Sequence, residues 1–307
     1  MNTEILPHAG WDRNLCISND HAQLIVTLDV GPRVLSYKRT DGENVFKNFP
    51  EQLGGRGEEE FLLRGGHRLW IAPEDVVRSY HFDNHPVDFR VDDSTGEIEV
   101  SSMQTCGGCF YKTLGIRMTG NGSQVLVRHT VRNDGDESVQ LASWALSVME
   151  PGGMEIIPQP PFGEHPRDLL PDRGLVLWPY TDMSDPRWHF GRQFFTLTQS
   201  EGFEPTKLGL AHREKWVAYL IGNSLFIKTF EHVAGLEYPD GGCNFETFTN
   251  SEMLEIESLS PLAILAPGES VSHTESWYVF EVPGEALIES EDSLARWLQP
   301  FLNYIEN

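Results

Sequence analysis

Short apolar runs, many alternating with polar residues, recur along the chain and are separated by Gly, Asn, Asp and Pro. Residues 23–28, 33–37, 97–103, 111–118 and 124–131 read as strands, as do 139–149, 193–198, 217–221, 225–230, 253–259 and 276–280. In one of them Val125, Val127, His129 and Val131 alternate with Gln124, Leu126, Arg128 and Thr130. Apolar side chains on both faces predict a strand buried between layers. Asp41-Gly42, Gly107-Gly108, Gly120-Asn121-Gly122 and Asp134-Gly135 supply turn chemistry between runs. Many strands without alternating long helices predict an antiparallel, all-β sandwich. One helix is predicted over 285–305, with Leu287, Leu294, Leu298, Phe301 and Ile305 near one face and Trp297 beside them. Glu289, Glu291 and Asp292 mark its polar face. Its expected job is to pack on the sandwich or cover an open edge.

Composition narrows the partners. The 307 residues carry 23 Lys and Arg against 46 Asp and Glu, a formal charge of −23. That field repels phosphate backbones and anionic lipid, so neither nucleic acid nor membrane is an expected partner. A neutral small molecule suits it. No run of about 18 apolar residues is present to span a membrane. The start Met1-Asn2-Thr3-Glu4 lacks the basic and apolar stretches of a secretory signal. Four cysteines in a chain this long make no disulfide framework, and a reducing cytoplasm is the expectation. Cys106-Gly107-Gly108-Cys109 has redox or zinc spacing without a second pair, and reads as a hairpin turn. Without a linker or a repeat of fixed period, 1–307 is expected to form one domain.

Four stretches, taken in order, resemble the aldose 1-epimerase (galactose mutarotase) superfamily. Residues 24–37, with Gly31-Pro32 inside and Asp41-Gly42-Glu43-Asn44 after, resemble its opening hairpin. Arg64-Gly65-Gly66-His67-Arg68-Leu69-Trp70-Ile71-Ala72-Pro73-Glu74 resembles its Gly-rich, sugar-facing segment. Asn133-Asp134-Gly135 leading into Leu141-Ala142-Ser143-Trp144 resembles the turn and strand on which mutarotases carry a catalytic His. Leu265-Ala266-Pro267-Gly268-Glu269, with His273 and Trp277 beyond, resembles the closing turn and last strand. The resemblance implies a β-supersandwich with a C-terminal helix, a sugar as ligand, a cleft on the concave face and no cofactor or metal. Fold alone does not confer activity, which depends on particular residues.

Mutarotation needs a base for the anomeric hydroxyl and an acid for the ring oxygen. Glu255 and Glu257 fall on one face of a strand, and Glu257 best matches the family's base. Trp144 stands where the resemblance places the His. An indole only donates, so it is either a stacking platform or core. His67 is the first substitute for the acid, since Gly65 and Gly66 would let a ligand approach the backbone there. His81 and His165 are further candidates that titrate near neutrality. Arg68 offers five donors to sugar oxygens or else pairs with Glu74 or Asp75. Trp70 is a platform or core. Residues 148–174 read as a turn-rich loop of the kind that covers a site. Residues 230–242 read as a strand leaving for a loop near the cleft. Lys215 and Lys228 are read as the strand-borne lysines able to hold an acidic substituent. Three functions compete: a sugar epimerase using Glu257 and Arg68, a carbohydrate-binding protein without catalysis, and a sugar-acid lyase using Lys215, His67 or His81.

Overall fold

The computed structural model describes residues 2–92, 94–120, 122–282 and 290–306. Its strands form two antiparallel sheets. In the first, spatial order runs Asn2–His8, Trp11–Ser18, Ala22–Thr27, Arg33–Arg39, His67–Ala72, Val139–Met149, Leu254–Leu259, Phe245–Thr249, Thr206–Leu210 and Leu175–Leu177. Ala263–Leu265 also pairs with Val139–Met149. In the second it runs Trp188–Phe190, Phe194–Thr198, Met154–Pro158, Trp216–Ile221, Ser224–Phe230, Ser270–Glu281, Val125–Asn133, Phe110–Met118, Ile98–Gln104 and Asp88–Val91.

Between the sheets lies an apolar core in which Leu69, Leu141 and Ile256 of the first meet Val127, Phe226 and Trp277 of the second. Trp277 is fully buried, with the Phe46 ring 5.4 Å away edge-on. The alternation 125–131 sends Val125, Val127, His129 and Val131 inward, as expected. Leu126, Arg128 and Thr130 stay half-exposed on the outer side, so this strand is covered on one face only. Gln104 pairs with Phe110 across the Cys106–Cys109 segment, which is the hairpin turn that the two glycines predict.

The helix Glu291–Ile305 begins at a Ser290 cap. The start of the predicted span, with Leu287 and Glu289, lies outside the described residues. Leu294 and Leu298 pack on Ile156, Ala218, Leu225 and Ile227, on the outer face of the second sheet. Glu291, expected on a solvent face, instead accepts backbone N–H bonds from Arg192, Gln193 and Phe194 at 3.1, 2.9 and 3.0 Å. It ties the helix start to the sheet edge. Leu298 is fully buried, so Leu298→Ala is expected to cost about 2–5 kcal/mol, read as a lower urea midpoint. A loss below about 0.5 kcal/mol would mean that the helix is not part of the cooperative unit.

The predicted loop 148–174 contains a strand, Met154–Pro158, paired on both sides. Its apolar face was hidden by the neighbouring Gly and Pro residues. The exposed remainder lines no part of the pocket described next.

Candidate functional site

Register across five strands builds one surface. Leu146 faces both Arg68 and Glu257, and Trp144 faces both Trp70 and Leu259. Glu246 lies beside Glu257, Phe248 beside Glu255, and Lys207 beside Phe248. Because side chains alternate, Arg68, Trp70, Trp144, Glu255, Glu257, Glu246 and Lys207 all point away from the second sheet. All of these except Glu246 line a pocket of about 190 Å³, completed by Phe61, Glu74, Tyr80 and Tyr180.

Aromatic rings form its walls. Trp70 and Trp144 meet edge-on at 5.4 Å, and Tyr80 meets Trp70 at 5.2 Å. Tyr80 donates its hydroxyl to Glu74 at 2.6 Å. The Arg68 guanidinium stacks over Trp70 at 4.5 Å and donates to Glu255 at 2.8 Å. Its Nε and Nη1 are buried without a partner.

The charged centre is Lys207. Its ammonium lies 2.8 Å from Glu246 and 3.0 Å from Glu257, and sits over the Trp144 and Trp178 rings at 4.7 and 4.9 Å. Burial alone would lower the Lys207 pKa, but Glu257 and Glu246 raise it, so it stays charged. Burial raises the Glu257 carboxyl against the pull of Lys207. Burial raises Glu246 further. Glu246 and Glu257 share one ammonium, and burial pushes both carboxyls toward the protonated form against its pull. Trp144 Nε1 donates to Glu257 Oε2 at 2.9 Å, and Glu257 Oε1 has no partner. Trp144 is therefore both wall and support for Glu257.

The structure gathers Arg68, Trp70, Glu74, Trp144 and Glu257 in this pocket and leaves five other expected residues, His67, His81, His165, Lys215 and Lys228, outside it. His67 points the opposite way from Arg68, into the core. His129 Nδ1 donates to the His273 carbonyl at 3.1 Å. Its Nε2 must then accept from His67 Nε2, 2.6 Å away, while His67 Nδ1 accepts from Ser147 at 2.8 Å. Burial holds His67 well below its ordinary pKa. It is a neutral structural residue here, not an acid at the pocket. Gly65 and Gly66, at φ +87° and +72°, serve backbone packing rather than ligand approach. A Cβ on either would lie 2.1 Å from the Lys47 carbonyl or 2.3 Å from that of Val34. His81 stacks on Phe82 at 5.3 Å, outside the pocket. His165 is exposed in the 159–174 segment. Lys215, half-exposed, pairs with Glu231 at 2.6 Å beside the second sheet. Lys228 is buried between the sheets, 2.9 Å from Glu275.

Lys207, at the charged centre of the pocket, is not among the candidates that the sequence suggests. It stands in Thr206–Leu210, a short strand whose glycine at 209 masks the alternation. Gly209 is needed because a Cβ there would lie 2.5 Å from Cys243 Sγ and 3.2 Å from Trp178. The available signal was a lysine flanked by Thr206 and Leu208.

Among the described residues, His67, His129 and Glu275 bring possible metal-ligand atoms within 4.8 Å of one another. Those atoms are already in use. Ser258 and Trp277 donate to Glu275 at 2.5 and 2.7 Å, and the Lys228 ammonium adds a competing cation. The donor set fits a closed hydrogen-bond chain better than a dication. Also among the described residues, no helix is long and apolar enough to cross a membrane.

The molecule is a β-sandwich of two antiparallel sheets with a walled pocket of aromatic and charged side chains on the outer face of one. No protein-family model and no curated protein matches the chain. Solved structures do. A galactose mutarotase-like protein from Lactobacillus casei is 11% identical with a TM-score of 0.57, covering 87% of this chain and 100% of its own. One from Clostridium acetobutylicum is 12% identical with a TM-score of 0.57, covering 91% and 98%. A TPR-domain containing protein from Parabacteroides distasonis, 14% identical, reaches 0.60 over 88% of this chain and 47% of its own. The fold is galactose-mutarotase-like.

Proposed function

We propose that this protein binds a neutral sugar in the Trp70–Trp144 pocket and isomerises it at the anomeric centre, with Glu257 as the base and Arg68 orienting the ring. One observation carries this reading. Glu257 Oε1, an acceptor, and Arg68 Nε and Nη1, both donors, are buried without partners in one aromatic-walled pocket. Unpaired buried groups of both kinds cost free energy, and vicinal hydroxyls, each donor and acceptor, satisfy both. The aromatic walls suit the apolar face of a pyranose. A carboxylated sugar would instead meet Glu74, Glu255 and Glu257. The galactose-mutarotase-like fold supports a sugar by analogy.

The pocket lining contains no histidine. In its place stand the Lys207 ammonium and the Tyr180 hydroxyl, the latter pushed up to about 12 chiefly by burial. Proton donors this weak hydrogen-bond to a ring oxygen more readily than they protonate it, which makes turnover slow. Trp144 in place of the expected His favours a second reading, sugar binding without catalysis. NMR exchange spectroscopy of galactose and glucose anomers separates the two. Wild type is expected to accelerate exchange, and Glu257→Gln to lose about 10²–10⁴-fold of that acceleration. Binding with no acceleration by wild type would leave the binding reading alone standing.

A further inference from the structure

A second cavity lies beside the pocket. It measures about 850 Å³ and is bordered by Pro73, His232, Leu236, Tyr238, Asp240 and Gly242. Two links join it to the inner site. Pro73 borders the cavity and the next residue, Glu74, borders the pocket. Leu262 borders the cavity and packs against the cluster that contains Trp70 and Trp144.

Size separates their roles. Ligand sites commonly hold about 300–1,000 Å³. The inner pocket, at about 190 Å³, falls short and has room for one ring. Its neighbour is within that range.

The outer lining has the features of a carbohydrate platform. The half-buried His232 ring borders the cavity and stacks on the buried Tyr238 ring behind it, at 5.5 Å with 9° between planes. Gly235 and Gly242 adopt left-handed φ of +85° and +105°, and a Cβ on either would meet nothing within 4 Å. The backbone there is open to a close-lying ligand. Asp240, a non-glycine residue, takes a left-handed φ of +52° in the same turn.

We propose that the outer cavity is a subsite for the following units of an oligosaccharide, whose terminal ring occupies the Trp70–Trp144 pocket. This rests on the sugar reading above and extends it from a free monosaccharide to a chain end.

Calorimetric titration with galactose, lactose, glucose, maltose and maltotriose tests it. At least one of the longer saccharides is expected to bind about tenfold or more tighter than its monosaccharide, a gain that stacking on one aromatic face can supply. Ala234→Trp, in an exposed turn on the cavity border, is expected to remove that gain. Its unchanged monosaccharide affinity shows that the variant is folded. Monosaccharide binding with no gain from length, or a gain that survives Ala234→Trp, overturns the subsite and leaves the inner pocket's reading intact. Failure of every saccharide to bind removes both.

Discussion

Lys228→Met is expected to cost about 3–5 kcal/mol, because it strands a buried carboxylate. Lys228 and Glu275 are both fully buried between the sheets, 2.9 Å apart. Lys228 also donates to the Ile256 carbonyl at 3.1 Å. Burial would raise the Glu275 pKa, yet Lys228 and hydrogen bonds from neighbours hold it below the ordinary carboxylate range. Removing the cation leaves that charge in a medium that solvates it poorly. Glu275→Gln is expected to cost a similar amount by stranding Lys228. The double variant is expected to lose clearly less than the sum of the two, since no bare charge remains. Urea unfolding of the four proteins reads this out. Additive losses would mean that the two groups are not an energetic pair.

Glu155→Gln is expected to stabilise the protein increasingly as pH rises from about 4.5 to 8. Glu155 is fully buried. Thr247 donates to one of its oxygens at 2.7 Å and the other has no partner. Burial, against the smaller effect of the Thr247 bond, pushes its pKa up to about 8. In the unfolded chain a glutamate titrates near 4.3. Between those values the folded state holds a proton that the unfolded state has released. The contribution of Glu155 to stability is therefore complete below the unfolded pKa and is lost as pH climbs through the folded one. At about 1.4 kcal/mol per pH unit, the loss by pH 8 is on the order of 3–5 kcal/mol. Gln keeps an acceptor for Thr247 and does not titrate. The difference in unfolding free energy between variant and wild type, measured at pH 5, 6, 7 and 8, is expected to grow steadily. A pH-independent difference would show that Glu155 ionises normally in the fold. The inter-sheet histidines run the other way. Burial lowers His129 to about 4 and His273 to about 3, so their contribution is present above about 6.5 and lost as pH falls toward those values.

Strands with a clear pattern were legible: Val125–Asn133 places every second residue in the core, and Val139–Met149 is a long, mostly apolar run buried on both faces from Leu141 onward. Strands without such a pattern were not legible, as with Thr206–Leu210, where Gly209 makes room for Cys243 and Trp178. Met154–Pro158 was lost between Gly and Pro residues. The resemblance to mutarotases singled out Arg68, Trp144 and Glu257, and the register joins them through Leu146 and neighbouring strand positions. His67 shows the limit. In sequence it touches Arg68, but in a strand adjacent residues face opposite sides, and the side it faces is the core.

By itself, then, the order of residues determined the all-β architecture, the outward face shared by Glu255 and Glu257, the hairpin at Cys106–Cys109 and the amphipathic C-terminal helix. Each is a local property of period and turn chemistry. Which carboxylate stands beside which cation was decided only by the tertiary structure. Lys207 meets Glu246 and Glu257 from strands about 40 to 50 positions away, and His67 meets His129 from the opposite sheet. Such pairings depend on strand order and register across two sheets, which no short window of sequence encodes.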